Sequence, residues 1–282
     1  MNVISIQSHV AYGHVGNSAA VFALQRLGHE VWPVHTVQFS NHTGYPDWQG
    51  RVFAAEDIAR LIDGLEARGA LARCDALLTG YLGDPALGAV VLDALARIRA
   101  ANPQALWCCD PVMGDHGKGL FVRDGVPAFM TERALPAADI ATPNLFELEL
   151  LTCSKPRGPD AIRQAAASLL AEGPRIVLVT SLGNLHDESD EVAMLAVTQD
   201  GAWRVTTPRL PMQPNGAGDA VAALFLGFYL ASGSVPDALG NSASAIFEVL
   251  QTTLDLGEEE LQLVAAQDRL ASPRRMFTTE KI

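Results

Sequence analysis

The feature that most restricts the fold of this chain is an alternation, sustained over nearly all of its length, of short apolar runs with longer helical patterns. Residues 3–6, 31–37, 76–79, 105–109, 140–142, 176–180, 192–197 and 203–205 are short apolar runs that are predicted to be strands. Helical spacing fills the gaps at 18–27, 55–68, 85–101, 145–152, 160–172, 219–231, 237–253 and 258–271. A parallel neighbour is reached only through a long crossover, and a helix is the common crossover. The predicted fold is therefore α/β, a mostly parallel central sheet with helices on both faces. Residues 192–205, with Asp200-Gly201 as the turn, are predicted to form an antiparallel hairpin at one edge. No repeat or low-complexity linker breaks the rhythm, so residues 1–282 are expected to be one domain.

Charge narrows the function. Thirty-two acidic side chains against 20 basic ones give a net charge of −12, which argues against nucleic acid or an anionic membrane as a partner. The 4 cysteines show no CxxC spacing, and reduced, cytoplasmic thiols are expected. Met1-Asn2-Val3-Ile4-Ser5-Ile6 lacks the basic flank and long apolar run of a signal peptide and is predicted to be the first strand. The acidic stretch 187–191 is expected to be a solvated loop. Residues 220–236 are nearly uncharged but interrupted by Gly227, Ser232, Gly233 and Ser234, which favours a buried helix over a membrane span.

Polar, glycine-rich stretches follow the strand ends at 7–17, 38–50, 80–85, 110–119 and 211–219, the end of an open α/β sheet where ligands bind. The phosphate loop GxxxxGK[ST], GxGxxG, GxSxG and HExxH are all missing, which removes the common nucleotide-loop, hydrolase and metalloprotease readings. Gly216-Ala217-Gly218-Asp219 stands directly before an apolar helix. Backbone amides at such a start can face an anion, reinforced by the helix dipole, and the aspartate can accept a hydroxyl proton. A plainer reading makes Asp219 a helix N-cap. Asp110 closes a strand, and Asn144 and Glu147 open a helix after another. Hard oxygen donors at neighbouring strand ends suit Mg²⁺ carried on phosphates, while the plainer reading of Asn144 and Glu147 is a capping pair.

Several runs, in order and spacing, resemble the pyridoxal kinase family of the ribokinase-like superfamily. They are Gln7-Ser8-His9-Val10, Gly13-His14-Val15-Gly16-Asn17, Val37-Gln38-Phe39-Ser40-Asn41-His42-Thr43-Gly44-Tyr45, Thr79-Gly80-Tyr81, Asp110-Pro111-Val112-Met113-Gly114-Asp115, Asn144-Leu145-Phe146-Glu147 and Gly216-Ala217-Gly218-Asp219. The resemblance runs from about Asn2 to the C-terminal Ala265-Ala266-Gln267-Asp268-Arg269.

The resemblance implies ATP-dependent phosphorylation of the 5′-hydroxyl of pyridoxal, with Asp219 as base and Gly216, Ala217 and Gly218 as the anion hole. It implies that Asp110 and Glu147 hold Mg²⁺, partly through water, and that Thr142, Asn144, Thr180, Met212, Gln213, Pro214 and Asn215 line ATP. Ser8, Val15, Val37, Phe39, His42, Thr43, Gly44 and Tyr81 would surround the pyridine ring, Ser8 and Thr43 reading its polar edge. Residues 114–119, with Asp115 and Lys118, would form a flap over the nucleotide. A homodimer is implied as well. Thr180 stands where many bacterial members carry lysine, and Phe121 where some carry tyrosine. The alternatives on the same fold are a hydroxymethylpyrimidine, sugar or nucleoside kinase, and a non-catalytic B6-binding protein.

Overall fold

A computed structural model describes residues 1–183 and 190–282. Its first half runs β1 (Asn2–Val10), α1 (Asn17–Arg26), β2 (Glu30–Phe39), β3 (Gly50–Val52), α2 (Ala55–Ala67), β4 (Ala76–Thr79), α3 (Pro85–Ala101), β5 (Leu106–Cys109), β6 (Gly114–Asp115) and β7 (Gly119–Leu120). There follow α4 (Val126–Phe129), a π turn over Met130–Ala134, α5 (Leu135–Ala137), β8 (Ile140–Ala141), α6 (Leu145–Leu151), α7 (Pro159–Leu170) and β9 (Ile176–Leu182). The chain closes with β10 (Glu191–Thr198), β11 (Gly201–Pro208), α8 (Ala217–Ser232), α9 (Val235–Leu256), α10 (Gln267–Ala271) and β12 (Glu280–Lys281).

Among the described residues, 10 strands form one sheet in the order β12-β11-β10-β9-β8-β5-β4-β1-β2-β3. From β9 to β2 the neighbours are parallel; β10, β11 and β12 on one flank and β3 on the other are antiparallel. The period-two geometry of a strand sends successive side chains to opposite faces. Ile4, Ile6, Leu77, Trp107 and Val177 therefore join the core under α2, α3, α6 and α7, while Val3, Leu78, Cys108 and Leu178 join the core under α1, α8 and α9. Burial on both faces explains why these strands are continuous apolar runs rather than alternating ones. Trp107, wholly buried, still satisfies its indole by donating to Thr79 Oγ1 at 3.0 Å.

All eight predicted strands and the first seven predicted helices are present within a few residues of their expected bounds. The hairpin at 192–205 is present, but its turn is Gln199-Asp200; Gly201 pairs with Thr198 and opens β11. The predicted helix 258–271 is reduced to α10. Gly257, in the left-handed region at φ 67°, ends α9, and Gln262 N–H donates to Thr253 Oγ1 at 3.0 Å. Leu261 and Leu263, two positions apart, are both fully buried, a period that an α-helix cannot place on one face. The expected loop 187–191 lies mostly outside the described residues, and Glu191 already belongs to β10. The very short β3, β6, β7 and β12 carried too little apolar pattern to be expected. Among the described residues, no helix is long and apolar enough to cross a membrane.

Candidate active site

Six parallel strands, β2, β1, β4, β5, β8 and β9, point their C-terminal ends toward the same side of the sheet; the predicted site residues up to Thr180 lie on or after them, and 212–219 follow β11, which runs in the same direction. The site backbone continues the sheet: Asp110 N–H donates to Thr79 O at 2.9 Å, Thr142 N–H to Cys109 O at 3.1 Å, and Thr180 N–H to Pro143 O at 3.0 Å. These side chains thus inherit the rigidity of the strands.

At the phosphate end, Asp110, Thr142, Glu147 and Thr180 are all buried. Thr142 Oγ1 donates to Asp110 Oδ1 at 3.0 Å. Asn144 and Glu147 form the capping box the spacing allowed: Asn144 Oδ1 accepts from Glu147 N–H at 2.9 Å, and Glu147 Oε2 accepts from Asn144 N–H at 2.9 Å. The same pair fastens the segment after β5. Met113 N–H donates to Glu147 Oε1 at 2.9 Å, and Asn144 Nδ2 donates to Gly114 O at 2.8 Å. Capping and site-building are therefore one arrangement.

The N-cap reading of Asp219 does not hold. The cap of α8 is Gly216, in the left-handed region at φ 87°, and Asp219 lies in the first turn with part of its surface open to the cleft. A Cβ at Gly216 would collide with the carbonyl oxygen of His14, so only glycine allows this turn to approach so closely. Asp219 Oδ2 accepts from Gly16 N–H at 2.9 Å, which ties the start of α8 to the start of α1.

Burial raises all three carboxylates of this floor. Burial pushes Asp219 up to about 6 despite the Gly16 N–H, and pushes Glu147 up to about 8 despite three backbone N–H donors. Asp110 is raised well above the usual carboxylate range by burial first, then by the charges of Glu147 and Asp219. Among the described residues, no three His, Cys, Asp or Glu side chains form a metal cage. A cation at Asp110 and Glu147 therefore needs phosphate and water oxygens to complete its shell, which is the way Mg²⁺ is usually held. Both Glu147 oxygens already accept backbone N–H groups, which favours contact through water.

The ring end has a different construction. Val15, Val37 and Phe39 meet in a small apolar cluster together with Val10, which the sequence reading did not single out. Between Gln7 and His9 the register of β1 on β2 shifts, so that Thr36 and Val37 both fall opposite Ser8. Such a bulge re-aims side chains at a strand end. Gly16 packs so closely on Ser8 that a Cβ would meet its hydroxyl and carbonyl oxygens. Asn17, buried, ties the two strands by donating to Ser5 O at 3.2 Å and Val34 O at 3.1 Å. Tyr81 is half-buried, with its carbonyl accepting from Thr36 Oγ1 at 3.3 Å. Thr43 and Gly44 are exposed at a loop tip, and His42 Nδ1 accepts from Gly44 N–H at 2.9 Å. Burial and the nearby Lys118 cation lower the His42 pKa, against the opposing pull of Glu260.

The predicted flap is the hairpin of β6 and β7, and its Lys118 Nζ donates to Asn215 Oδ1 at 3.4 Å. Asn215, Pro214 and Met212 are half-exposed and Gln213 is exposed on the approach to α8. Phe121 is exposed beyond the flap. Tyr45 and Glu260, neither of them a predicted site residue, meet here: the Tyr45 hydroxyl donates to Glu260 Oε1 at 2.7 Å. Tyr45 ends the 37–45 motif, but nothing local marks Glu260.

A doubly covered parallel sheet whose strand ends carry a glycine turn, an adjoining aspartate and an acidic floor defines a small-molecule kinase of the ribokinase-like class. The family model for phosphomethylpyrimidine kinase matches residues 60–263. A pyridoxal kinase PdxY of Rubrobacter xylanophilus is 55% identical over 283 residues, covering 100% of this chain and 98% of its own length. One from Deinococcus radiodurans is 54% identical, with 100% and 96% covered. Pyridoxal kinase from Leishmania donovani, solved in complex with ADP and pyridoxamine, superposes with a TM-score of 0.93 at 30% identity, covering 100% of this chain and 99% of that one. This chain belongs to the pyridoxal kinase family.

Proposed function

We propose that the protein transfers the γ-phosphoryl group of ATP to the 5′-hydroxyl of pyridoxal, giving pyridoxal 5′-phosphate and ADP. The observation that carries this reading is Asp219, fixed by Gly16 N–H within the first turn of α8 and beside the glycine turn at Gly216. The relatives support the substrates: the Leishmania kinase was solved with ADP and pyridoxamine, and also with ADP and pyridoxine.

In the reaction Asp219 takes the proton of the 5′-hydroxyl as its oxygen bonds to the γ-phosphorus. The bond from that phosphorus to the β–γ bridging oxygen breaks, and ADP carries the electron pair away. Phosphoryl transfer asks the protein for alignment and charge stabilisation rather than covalent chemistry. The N–H groups of 216–218, at the positive end of α8, face the charge that develops on the transferring group. Asp110 and Glu147 would hold Mg²⁺, which would neutralise phosphate charge and so let ATP approach an acidic floor. Thr142, Asn144, Thr180 and residues 212–215 line the nucleotide, under the flap with Lys118. Val15, Val37, Phe39 and Tyr81 enclose the ring, with Ser8, His42, Thr43 and Gly44 on its polar edge.

The unbroken sheet from β1 to β12 supports a single domain over 1–282. Exposed Tyr12, Trp48 and Val52 around β2 and β3 support a homodimer, and the family's B6 salvage role supports a cytoplasmic location. Incubation of the purified protein with γ-labelled ATP, Mg²⁺ and pyridoxal is expected to move the label to pyridoxal. Labelled ATP left intact would refute the kinase reading and favour a protein that only binds the vitamer.

A further inference from the structure

Glu260 lies in the irregular stretch after α9, beside the fully buried Leu261 and Leu263, and is itself only 8% exposed. A side chain serving packing alone at this place has no use for a charge, since a buried carboxylate must recover its lost hydration from partners. Its Oε1 has one, the Tyr45 hydroxyl at 2.7 Å, 215 positions away in the chain. Oε2 is buried without a hydrogen-bond partner and lies against Gly13, where φ is 87° and a Cβ would collide with the carboxylate. The next residue, His14, places its carbonyl oxygen against Gly216. Burial lowers the His14 pKa, with the Leu261 backbone and the Glu260 charge pulling the other way.

One side chain therefore touches both loops of the ring end. Tyr45 closes the turn His42-Thr43-Gly44-Tyr45 through its N–H to His42 O at 3.2 Å. Residues 13–16 run from the Glu260 carboxylate to the Gly16 N–H that holds Asp219. Resting on the pyridoxal reading above, we infer that Glu260 is a positioning residue for the vitamin: it braces the 42–45 turn through Tyr45 and seats the 13–16 loop, so that the ring pocket is formed before pyridoxal arrives. The Tyr45 hydroxyl is the donor in this brace. Its hydrogen bond to Glu260, more than its burial, pushes its pKa up to about 12. Bonds of this charge-assisted type are shorter and stronger than neutral ones.

The test is steady-state kinetics of the full chain, varying pyridoxal at saturating ATP and then ATP at saturating pyridoxal, for wild type, Glu260→Ala, Glu260→Gln, Tyr45→Phe and the double variant Tyr45→Phe/Glu260→Ala. Losing a hydrogen bond to a charged group is expected to raise the pyridoxal KM about tenfold in Glu260→Ala and Tyr45→Phe, with the loss falling on KM rather than kcat and the ATP KM little moved. The double variant is expected to lose no more than Glu260→Ala, and Glu260→Gln, which keeps an acceptor for Tyr45, to recover most of the loss. Equal rises in both KM values, multiplying effects in the double variant, or a wild-type pyridoxal KM in Tyr45→Phe would overturn the brace. Should Glu260→Ala fail to fold, the Tyr45→Phe measurement decides from the loop side. A wild type that leaves pyridoxal unphosphorylated overturns the functional reading rather than the brace.

Discussion

At the phosphate end of the cleft, Asp110, Thr142 and Glu147 are buried and take their positions from strand ends and a helix cap. At the ring end Thr43, Gly44 and Trp48 are exposed, and their loop is held by side chains: Asn41 Nδ2 donating to Asp47 O at 2.8 Å, Trp48 packed at a tilt against Phe39 with ring centroids 4.2 Å apart, and the Tyr45 hydroxyl donating to Glu260. On the proposed reading, the transfer chemistry rests on strand ends and helix starts, whereas the acceptor is met partly by the strand residues Ser8, Val37 and Phe39 and partly by the exposed 42–45 loop. Substitutions at the two ends should therefore fail differently, through kcat and metal dependence at one and through the acceptor KM at the other.

The largest effect is expected from Asp219→Asn, which keeps the shape and the Gly16 contact but removes the proton acceptor; kcat should fall by roughly 10²–10⁴ with both ligands still bound. Single-turnover rates and ligand titrations together measure this. The pH profile of kcat/KM adds the sign. Burial pushes the Asp219 pKa up to about 6, and its protonated form cannot act as base, so kcat/KM should rise through about pH 6 and Asp219→Asn should abolish that limb. Gly216→Ala comes next, because an L-residue at φ 87° whose Cβ meets the His14 carbonyl carries strain of about 1–3 kcal/mol. Chemical denaturation should show that loss, accompanied by a slower transfer step.

The divide between the two ends also governs what could be read in the sequence. Asp110, Asn144, Glu147 and Asp219 could be picked out as candidates because each is marked locally, Asp110 by the end of an apolar strand run and the other three by the start of a helix. The two covered faces of the sheet were legible for the same reason: burial on both sides writes continuous apolar strands. Glu260 was not, since its partners Gly13 and Tyr45 are brought to it only by tertiary folding, and the regular spacing around it predicted a helix. The bulge opposite Ser8 was equally hidden, since register is a property of two strands and not of one.

A smaller effect is expected at the metal carboxylates. Glu147→Gln and Asp110→Asn each remove one negative charge, so the Mg²⁺ concentration giving half-maximal rate should rise while pyridoxal KM stays nearly constant. Either variant losing pyridoxal binding with unaltered Mg²⁺ dependence would move these carboxylates to the ring end. Glu147 also predicts a stability trend. Its folded pKa, about 8, lies above the ordinary 4.5, so the folded state holds this proton more tightly and the group's contribution to stability falls as pH rises between those values. Thermal melts of the ligand-free protein should therefore show the wild type losing ground to Glu147→Gln as pH rises from 5 to about 8. The smallest effect is expected at the exposed tip, where Thr43→Ala should cost pyridoxal about 1 kcal/mol of binding and leave the ATP KM alone.

The central claim is that Ser8 on β1 and the 42–45 loop select pyridoxal beside the phosphate-transfer residues Asp110, Glu147 and Asp219. The direct measurement is kcat/KM, at saturating ATP and Mg²⁺, for pyridoxal, hydroxymethylpyrimidine, ribose and adenosine as acceptors. Pyridoxal should give the highest value, and its lead over hydroxymethylpyrimidine should shrink in the Ser8→Ala and Thr43→Ala variants. A higher value for hydroxymethylpyrimidine, ribose or adenosine, or a preference for pyridoxal that both variants leave intact, would contradict the account.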